Sequence, residues 1–404
     1  MKTHAARPRG WRTVWLLLHR WAGLTLTLFL VVAGLTGSLL AFAPQLDAWL
    51  QRDLYAVPVT GPRMDPFELH RRAEALLAPA HLDFVTLDSD HPGEAVMFYA
   101  TPEEASPVLM ALALNPYTGE EIARFDAGDD APLSRRSLLG FVFRLHFQLL
   151  LGEPGRWAFG IAALIWTLDC FVGFYLTLPV RRRREGPRTG RSFWALWKPA
   201  WLIRRGGSTW RLNFDFHRAA GLWTWALLFV FAVSAVSFNL PELYNPAQHW
   251  LGGRSDPSEQ VPALPAPLAA PRTDWGQAAE TGRRLLAERA RAEGFTTGTG
   301  QGLYFDRTKG LFGYSAHTSR DVGESAASVL WFDDSTGTDR GFASPLGMSG
   351  VNDFTTWVQY LHLGAIGGLA GRVAVSLMGL VITGLSLTGA YLWWARRGGR
   401  AVRA

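Results

Sequence analysis

Among 404 residues there is a single cysteine, Cys170. That excludes disulfides and thiolate clusters alike. No Gly-rich nucleotide fingerprint follows a strand-like run anywhere in the chain, so NAD(P)H is not expected to bind directly. The formal net charge of +6 does not mark a nucleic-acid binder, because the positive charge lies in segments that flank apolar runs and is better explained as membrane anchoring.

What the chain has in quantity is apolar sequence, 48% of residues. Crossing a bilayer takes roughly 20 such residues in a row. Residues 14–43, 157–180, 212–240 and 373–394 all qualify. Three short segments rich in arginine fall on one side of these spans: Lys2 to Arg12, Arg181 to Arg205 and Arg396 to Arg403. Basic loops stay in the cytoplasm, so both termini are expected inside. Residues 47–134 carry 5 basic and 16 acidic side chains and residues 241–353 carry 10 and 14, which puts both large loops outside. Ala41-Phe42-Ala43 resembles a signal-peptide cleavage site. The apolar stretch before it exceeds the usual roughly 7–15 residues, and an uncleaved anchor is expected.

The spans repeat. Aligning His19 with His217 also aligns Arg20 with Arg218, Gly23 with Gly221 and Leu24 with Leu222. Aligning His146 with His362 aligns Gly152 with Gly368, Gly155 with Gly371, Arg156 with Arg372, Gly173 with Gly389 and Tyr175 with Tyr391. Each copy reads span, outer domain, span, which implies two parallel repeats about an axis along the membrane normal. The expected fold is an α-helical membrane bundle of four transmembrane helices with two outer α+β domains. Its segments are 1–43 (N-terminus and first span), 44–136 (outer domain), 137–180 (half-helix and second span) and 181–211 (cytoplasmic loop). The second copy gives 212–240 (third span), 241–353 (outer domain), 354–395 (half-helix and fourth span) and 396–404 (tail).

Each outer domain opens with a helix-like run that has an acidic start (Asp65, 65–77; Asp274, 274–293), then strand-like runs (84–87, 95–100 and 108–114; 303–305, 311–315 and 328–332), and reaches a Thr-Gly turn at Thr118-Gly119 or Thr336-Gly337. A helix on a small antiparallel sheet is expected for each. Residues 261–271 read as a Pro-rich linker. In the cytoplasmic loop Trp194, Trp197, Trp201 and Trp210 alternate with cations, the composition of a segment lying among lipid headgroups; docking of an electron donor there is the other reading.

Four histidines lie in or beside the spans, and the other six lie outside them. His19 and His217 fall near the cytoplasmic ends of spans one and three. His146 and His362 sit on short apolar segments, broken by glycines, that precede spans two and four and fold onto the outer mouth. Two levels of two imidazoles are what two stacked b-type haems require, with His19 paired to His217 and His146 to His362. Gly23 and Gly221, one turn after their histidines, leave room for a flat ligand. Arg20 and Arg218 are candidates for the inner propionates and Arg156 and Arg372 for the outer ones; snorkelling to lipid phosphate is the alternative use of each. A lone histidine in a span more often bonds another helix, but four at matched positions favour ligation. Copper or zinc fits less well, since neither a thiolate nor a supporting carboxylate accompanies these histidines in sequence. Asp169, in span two where the other copy has Leu385, reads as protonated or as hydrogen-bonded to serine or threonine, with a proton relay coupled to electron transfer as the alternative.

The HRWAGL and HRAAGL starts of spans one and three, the LHLGAIGGLAGR segment before span four and its weaker copy LHFQLLLGEPGR resemble the PepSY-associated transmembrane family. The weaker copy has Gln148 and Glu153 where the other has Gly364 and Leu369. The resemblance implies a bacterial inner-membrane protein with PepSY-like periplasmic domains. It also implies two haems and outward electron transfer to a ferric siderophore or other ferric chelate, from a separate flavoprotein or quinol. A siderophore or haem permease, with Thr36, Ser38, Ser234 and Ser237 facing a pathway, is a second expectation. A membrane-anchored domain that binds a periplasmic partner is a third.

Overall fold

The computed structural model describes residues 10–87, 92–100, 109–128, 131–179, 192–323 and 328–401, with only the backbone of 398–401. Lys2, Arg7, Arg9, Arg181 to Arg184, Arg188, Arg191 and Arg403, which carry much of the orientation argument, lie outside the described residues.

In lipid a backbone satisfies its own hydrogen bonds only as a helix or a closed barrel, and the apolar runs are helical. The chain begins with α1 (Trp11–Leu40), α2 (Ala43–Leu50), α3 (Arg52–Tyr55) and α4 (Pro66–Leu77), and after a run of strands continues with α5 (Leu138–Gln148), α6 (Gly152–Thr177) and α7 (Phe193–Trp197). Then come α8 (Thr209–Trp223), α9 (Trp225–Asn239), α10 (Pro241–Trp250) and α11 (Trp275–Glu293), and after further strands α12 (Gly350–Leu363) and α13 (Gly368–Ala401). By length and composition α1, α6 and α13 can each cross a membrane, and α8 with α9 makes a fourth crossing if that pair is one span.

The expected continuous third span, 212–240, is instead broken between α8 and α9 by a bend of 71°. Thr224 stands at the break with φ −103° and ψ 4°, and its hydroxyl donates to the Ala220 carbonyl. A threonine that bonds back four residues competes with the helix ladder and favours bending. The matched position in α1 is Leu26, fully buried, and α1 runs straight through it. Two indoles hold the bend: Trp223 donates to the Trp201 carbonyl and Trp225 to that of Cys170.

α1 lies along α13 and α6 along α9. Between them sits a dry core of Cys170, Leu228, Phe231, Ala232, Met378 and Ile382. The N-terminal end of α1 and the C-terminal end of α6 share one face of the bundle, since Arg12 donates to the carbonyls of Leu176 and Leu178. The C-terminal part of α13 joins them, with Arg396 over the Trp210 ring of α8. On this face α7 and the following short 3-10 turn stack Trp197 against Phe174 and Trp201.

The opposite end carries the sheets. The first copy supplies β1 (Phe84–Thr86), β2 (Val96–Tyr99), β3 (Met110–Leu114) and β4 (Glu121–Asp126); the second supplies β5 (Thr297–Asp306), β6 (Leu311–Thr318), β7 (Ser328–Asp333) and β8 (Asp339–Ala343). As expected, acidic residues start the covering helices: Asp65 caps α4 and Asp274 caps α11, each accepting from two backbone amides. Leu69, Ala73 and Leu77 of α4 pack on Phe98, Leu112 and Leu114, and Ala278, Leu286 and Ala290 of α11 pack on Leu303, Phe312 and Leu330. Both Thr-Gly turns form, with Gly119 at φ 71° and Gly337 at φ 66°, a region glycine enters without steric cost.

Two self-contained units were expected, and here the structure differs. β1 leaves its own copy and pairs antiparallel with β5, so the sheets have orders β2-β3-β4 and β1-β5-β6-β7-β8. Val85 is fully buried in that pairing. Gly302 permits it, since a Cβ there would come within 2.4 Å of the Phe84 ring. His70 of α4 also packs on Trp275 at the start of α11, with ring centroids 4.7 Å apart, so the two outer segments are joined. The proline-rich stretch 261–271 is pinned as well, through Leu264 and Leu268 amides bonded to the carbonyls of Thr308 and Arg307.

Candidate functional site

Both short helices expected before spans two and four are present. α12 ends on Gly364 in the left-handed region, the common helix stop. In α5 the glycine is replaced by Gln148, and the reversal falls instead on Leu149 and Leu150, both at positive φ. Side chains with a Cβ disfavour that region by about 1–2 kcal/mol per residue, so the packing of α5 must hold this turn. It does so where His146 meets α1: a Cβ on Gly37 would fall within 2.9 Å of the His146 ring.

The four histidines meet in the expected pairs. Ring centroids of His19 and His217 are 6.1 Å apart, and those of His146 and His362 are 6.4 Å apart. Two imidazoles sharing one metal through ring nitrogens have centroids roughly 6 Å apart, given bonds of about 2.0–2.1 Å to each nitrogen. The levels are set along α1 by His19 and by Thr36, which touches His146; seventeen residues of helix separate these by roughly 25 Å.

Each histidine is anchored through Nδ1. That of His19 lies 3.0 and 2.9 Å from the two carboxylate oxygens of Asp169. That of His217 lies 3.0 Å from the Leu385 carbonyl and 3.1 Å from the Thr388 hydroxyl. His146 uses the Thr36 hydroxyl at 3.0 Å, and His362 uses the Ser234 hydroxyl at 2.6 Å. Thr36 and Ser234 already donate their own hydrogens to the carbonyls of Val32 and Val230. A hydroxyl has one proton to give, so toward the histidines both act as acceptors. The backbone carbonyl beside His217 requires the proton on Nδ1, and the carboxyl group beside His19 and the hydroxyls beside His146 and His362 favour the same tautomer; among the described residues no Nε2 of the four makes a hydrogen bond.

The partners recur at matched positions: Thr36 and Ser234 correspond, as do Gly173 and Gly389, which the rings of His19 and His217 approach to 3.4 and 3.3 Å of a Cβ position. Asp169 corresponds to Leu385, so a carboxylate replaces a backbone carbonyl at one place only. This corrects the expectation that no carboxylate supports these histidines and that Asp169 bonds a hydroxyl.

A cavity of about 920 Å³ opens between His19 and His217, near the upper end of the range for small-ligand sites. Gly23 and Gly221 line it, with nothing within 4 Å of a Cβ at the first and only Leu385 at 4.0 Å of the second. Arg20 and Arg218 line it too, with Arg12, Arg396 and Arg397 toward the mouth. Arg20 has no hydrogen-bond or ion-pair partner among the described residues. Arg218 is committed to the Pro199 carbonyl and to Asp215, a fully buried carboxylate that also faces Arg204 and Arg211. Asp215 escaped the sequence reading because its counterpart in the first copy, Leu17, is apolar.

At the other level His362 packs against Phe231 and Phe238, at 4.7 and 5.6 Å between centroids. Arg156 is held by Glu153, Glu242 and the Asn239 carbonyl. Its guanidinium is thus bound to carboxylates rather than turned to the histidines. Arg372 packs its backbone against Gly364 at the end of α12.

Each level thus offers two imidazoles. Among the described residues no group of three or more His, Cys, Asp or Glu side chains is placed to hold a metal ion, whereas a bare zinc site takes three or four. Such an assembly is a membrane helical bundle that brings two pairs of histidines together. The chain belongs to the family of the PepSY-associated TM region, whose model matches residues 16–396. No curated protein matches it.

Proposed function

We propose that this chain holds two b-type haems, between His19 and His217 and between His146 and His362, and serves as a transmembrane reductase of a ferric chelate such as a ferric siderophore. The observation that carries this reading is the common arrangement of four imidazoles, each engaging a protein partner through Nδ1 and keeping Nε2 for a ligand. His19 with His217 and His146 with His362 would each hold one haem, whose porphyrin would bring the remaining donors. Bound in this way, haem iron supplies one-electron transfer.

The chain's own residues have separate tasks. Asp169, the Leu385 carbonyl, Thr36 and Ser234 hold the rings in one tautomer and orientation. Gly23 and Gly221 leave the cavity faces open. Arg20 offers a cation to the propionates of the inner group. The apolar core around Phe231 and Met378 would hinder water and ions from passing between the levels.

The basic terminal segments support a bacterial inner-membrane protein with both termini inside. The sheet-bearing segments, read as PepSY-like domains of two repeats, would then face the periplasm. Electrons would come from a cytoplasmic flavoprotein or from quinol and leave toward the chelate, whose hold on iron weakens on reduction.

Reduced-minus-oxidised spectra of the purified protein, with haem counted per chain, test the reading. Two haems are expected, falling to one in the His19→Ala, His217→Ala double variant. A protein without a Soret band, or with one indifferent to that variant, would overturn it and leave the permease and partner-binding alternatives.

A further inference from the structure

The four Nδ1 atoms face hydroxyls, a backbone carbonyl and, at one place only, a carboxyl group. His146 and His362 bond neutral hydroxyls, His217 a backbone carbonyl and a hydroxyl, and His19 both oxygens of Asp169. The Asp169 side chain is 12% exposed and that of His19 33%, so the carboxyl group is largely shielded while the imidazole lines the cavity. No salt bridge from a cation competes for Asp169 among the described residues. A carboxylate behind an imidazole draws its Nδ1 proton and raises the basicity of Nε2. A more basic axial nitrogen favours the ferric over the ferrous state, and hydrogen bonding to axial ligands is one of the means by which proteins set haem potentials.

On the haem reading above, we infer that Asp169 is a positioning residue that makes His19 the strongest donor of the four and lowers the reduction potential at the His19–His217 level relative to the His146–His362 level. The asymmetry has a direction. Electrons run from low potential to high, so the level nearest the chain termini becomes the giver and the level nearest the sheets the receiver. The second copy cannot do this at its matched position, where the acceptor is the Leu385 main chain.

The test is a potentiometric titration of the full-length protein in nanodiscs, followed in the visible haem bands, for the wild type and Asp169→Asn. One midpoint potential is expected to rise and the other to stay in place, with a matching change in the low-spin electron paramagnetic resonance signal of one haem only. The pair Asp169→Glu and Asp169→Gln, equal in length and differing in charge, guards against loss of packing: the glutamate variant should hold the lower potential. Two haems with unmoved potentials, or with both potentials moved alike, would overturn the role of Asp169 and leave the haem reading intact. Absence of haem from the wild type would defeat that reading instead.

Discussion

Gly34 of α1 and Gly379 of α13 meet backbone to backbone, so that a Cβ on Gly34 would lie 2.5 Å from the Gly379 carbonyl oxygen and one on Gly379 would lie 2.4 Å from that of Gly34. Ser38 seals the crossing, its single hydroxyl proton shared between the Gly34 and Ser376 carbonyls. Small residues let helices approach in lipid, where no hydrophobic force drives them together. Gly34→Ala or Gly379→Ala forces the helices apart and should cost about 1–3 kcal/mol, as overpacking does. Thermal unfolding in detergent checks this.

Thr36→Val and Ser234→Ala each remove the acceptor that fixes one imidazole while leaving the imidazole itself. Loss of such a supporting partner typically weakens metal affinity about 10–100-fold. Haem retention during dilution or competition with apomyoglobin should therefore fall at the His146–His362 level and stay unchanged at the His19–His217 level. Equal retention at both levels would show that the hydroxyls are bystanders.

Asp215 is fully buried against Arg218, Arg211 and Arg204, whose side chains are 20%, 36% and 59% exposed. Removing one partner of a buried pair costs about 3–5 kcal/mol when the other is left alone. Two cations remain after Arg218→Ala, so a loss of about 2–3 kcal/mol is expected. Arg204→Ala, at the exposed edge, should cost no more than about 1 kcal/mol. A reversed order in thermal stability would refute this ranking.

His70, buried between α4 and Trp275, has its pKa pushed down to about 4 by burial. The nearest charge is Glu74, 3.7 Å away, itself raised by burial. Between pH 6.5 and about 4 the unfolded chain binds the proton that the folded one refuses. Stability should be complete above the unfolded value and fall by at most about 3 kcal/mol as pH drops through this window, then level off. Unfolding of the sheet-bearing region, followed by circular dichroism against pH, should show the loss in the wild type and not in His70→Leu.

The four apolar runs, the histidine pairs and the glycines beside them could be read along the chain because each is local or repeats at one offset. The two acidic caps, Asp65 and Asp274, were legible for the same reason. The break at Thr224 was hidden, since one threonine in an apolar run does not interrupt the pattern. The pairing of β1 with β5 was hidden more deeply: Val85 and Leu303 meet across more than two hundred residues, and an alternating strand does not declare its neighbour.

By itself the sequence determined which segments must be helices in lipid and which imidazoles stand at equal depth, because apolar length and helical rise are properties of the chain alone. Only the tertiary structure decided which atom each imidazole bonds, that Asp169 lies behind His19, and that β1 joins the other sheet. Those outcomes depend on which helix faces or strand edges come into contact, and contact between distant segments is set by packing and desolvation of the whole fold.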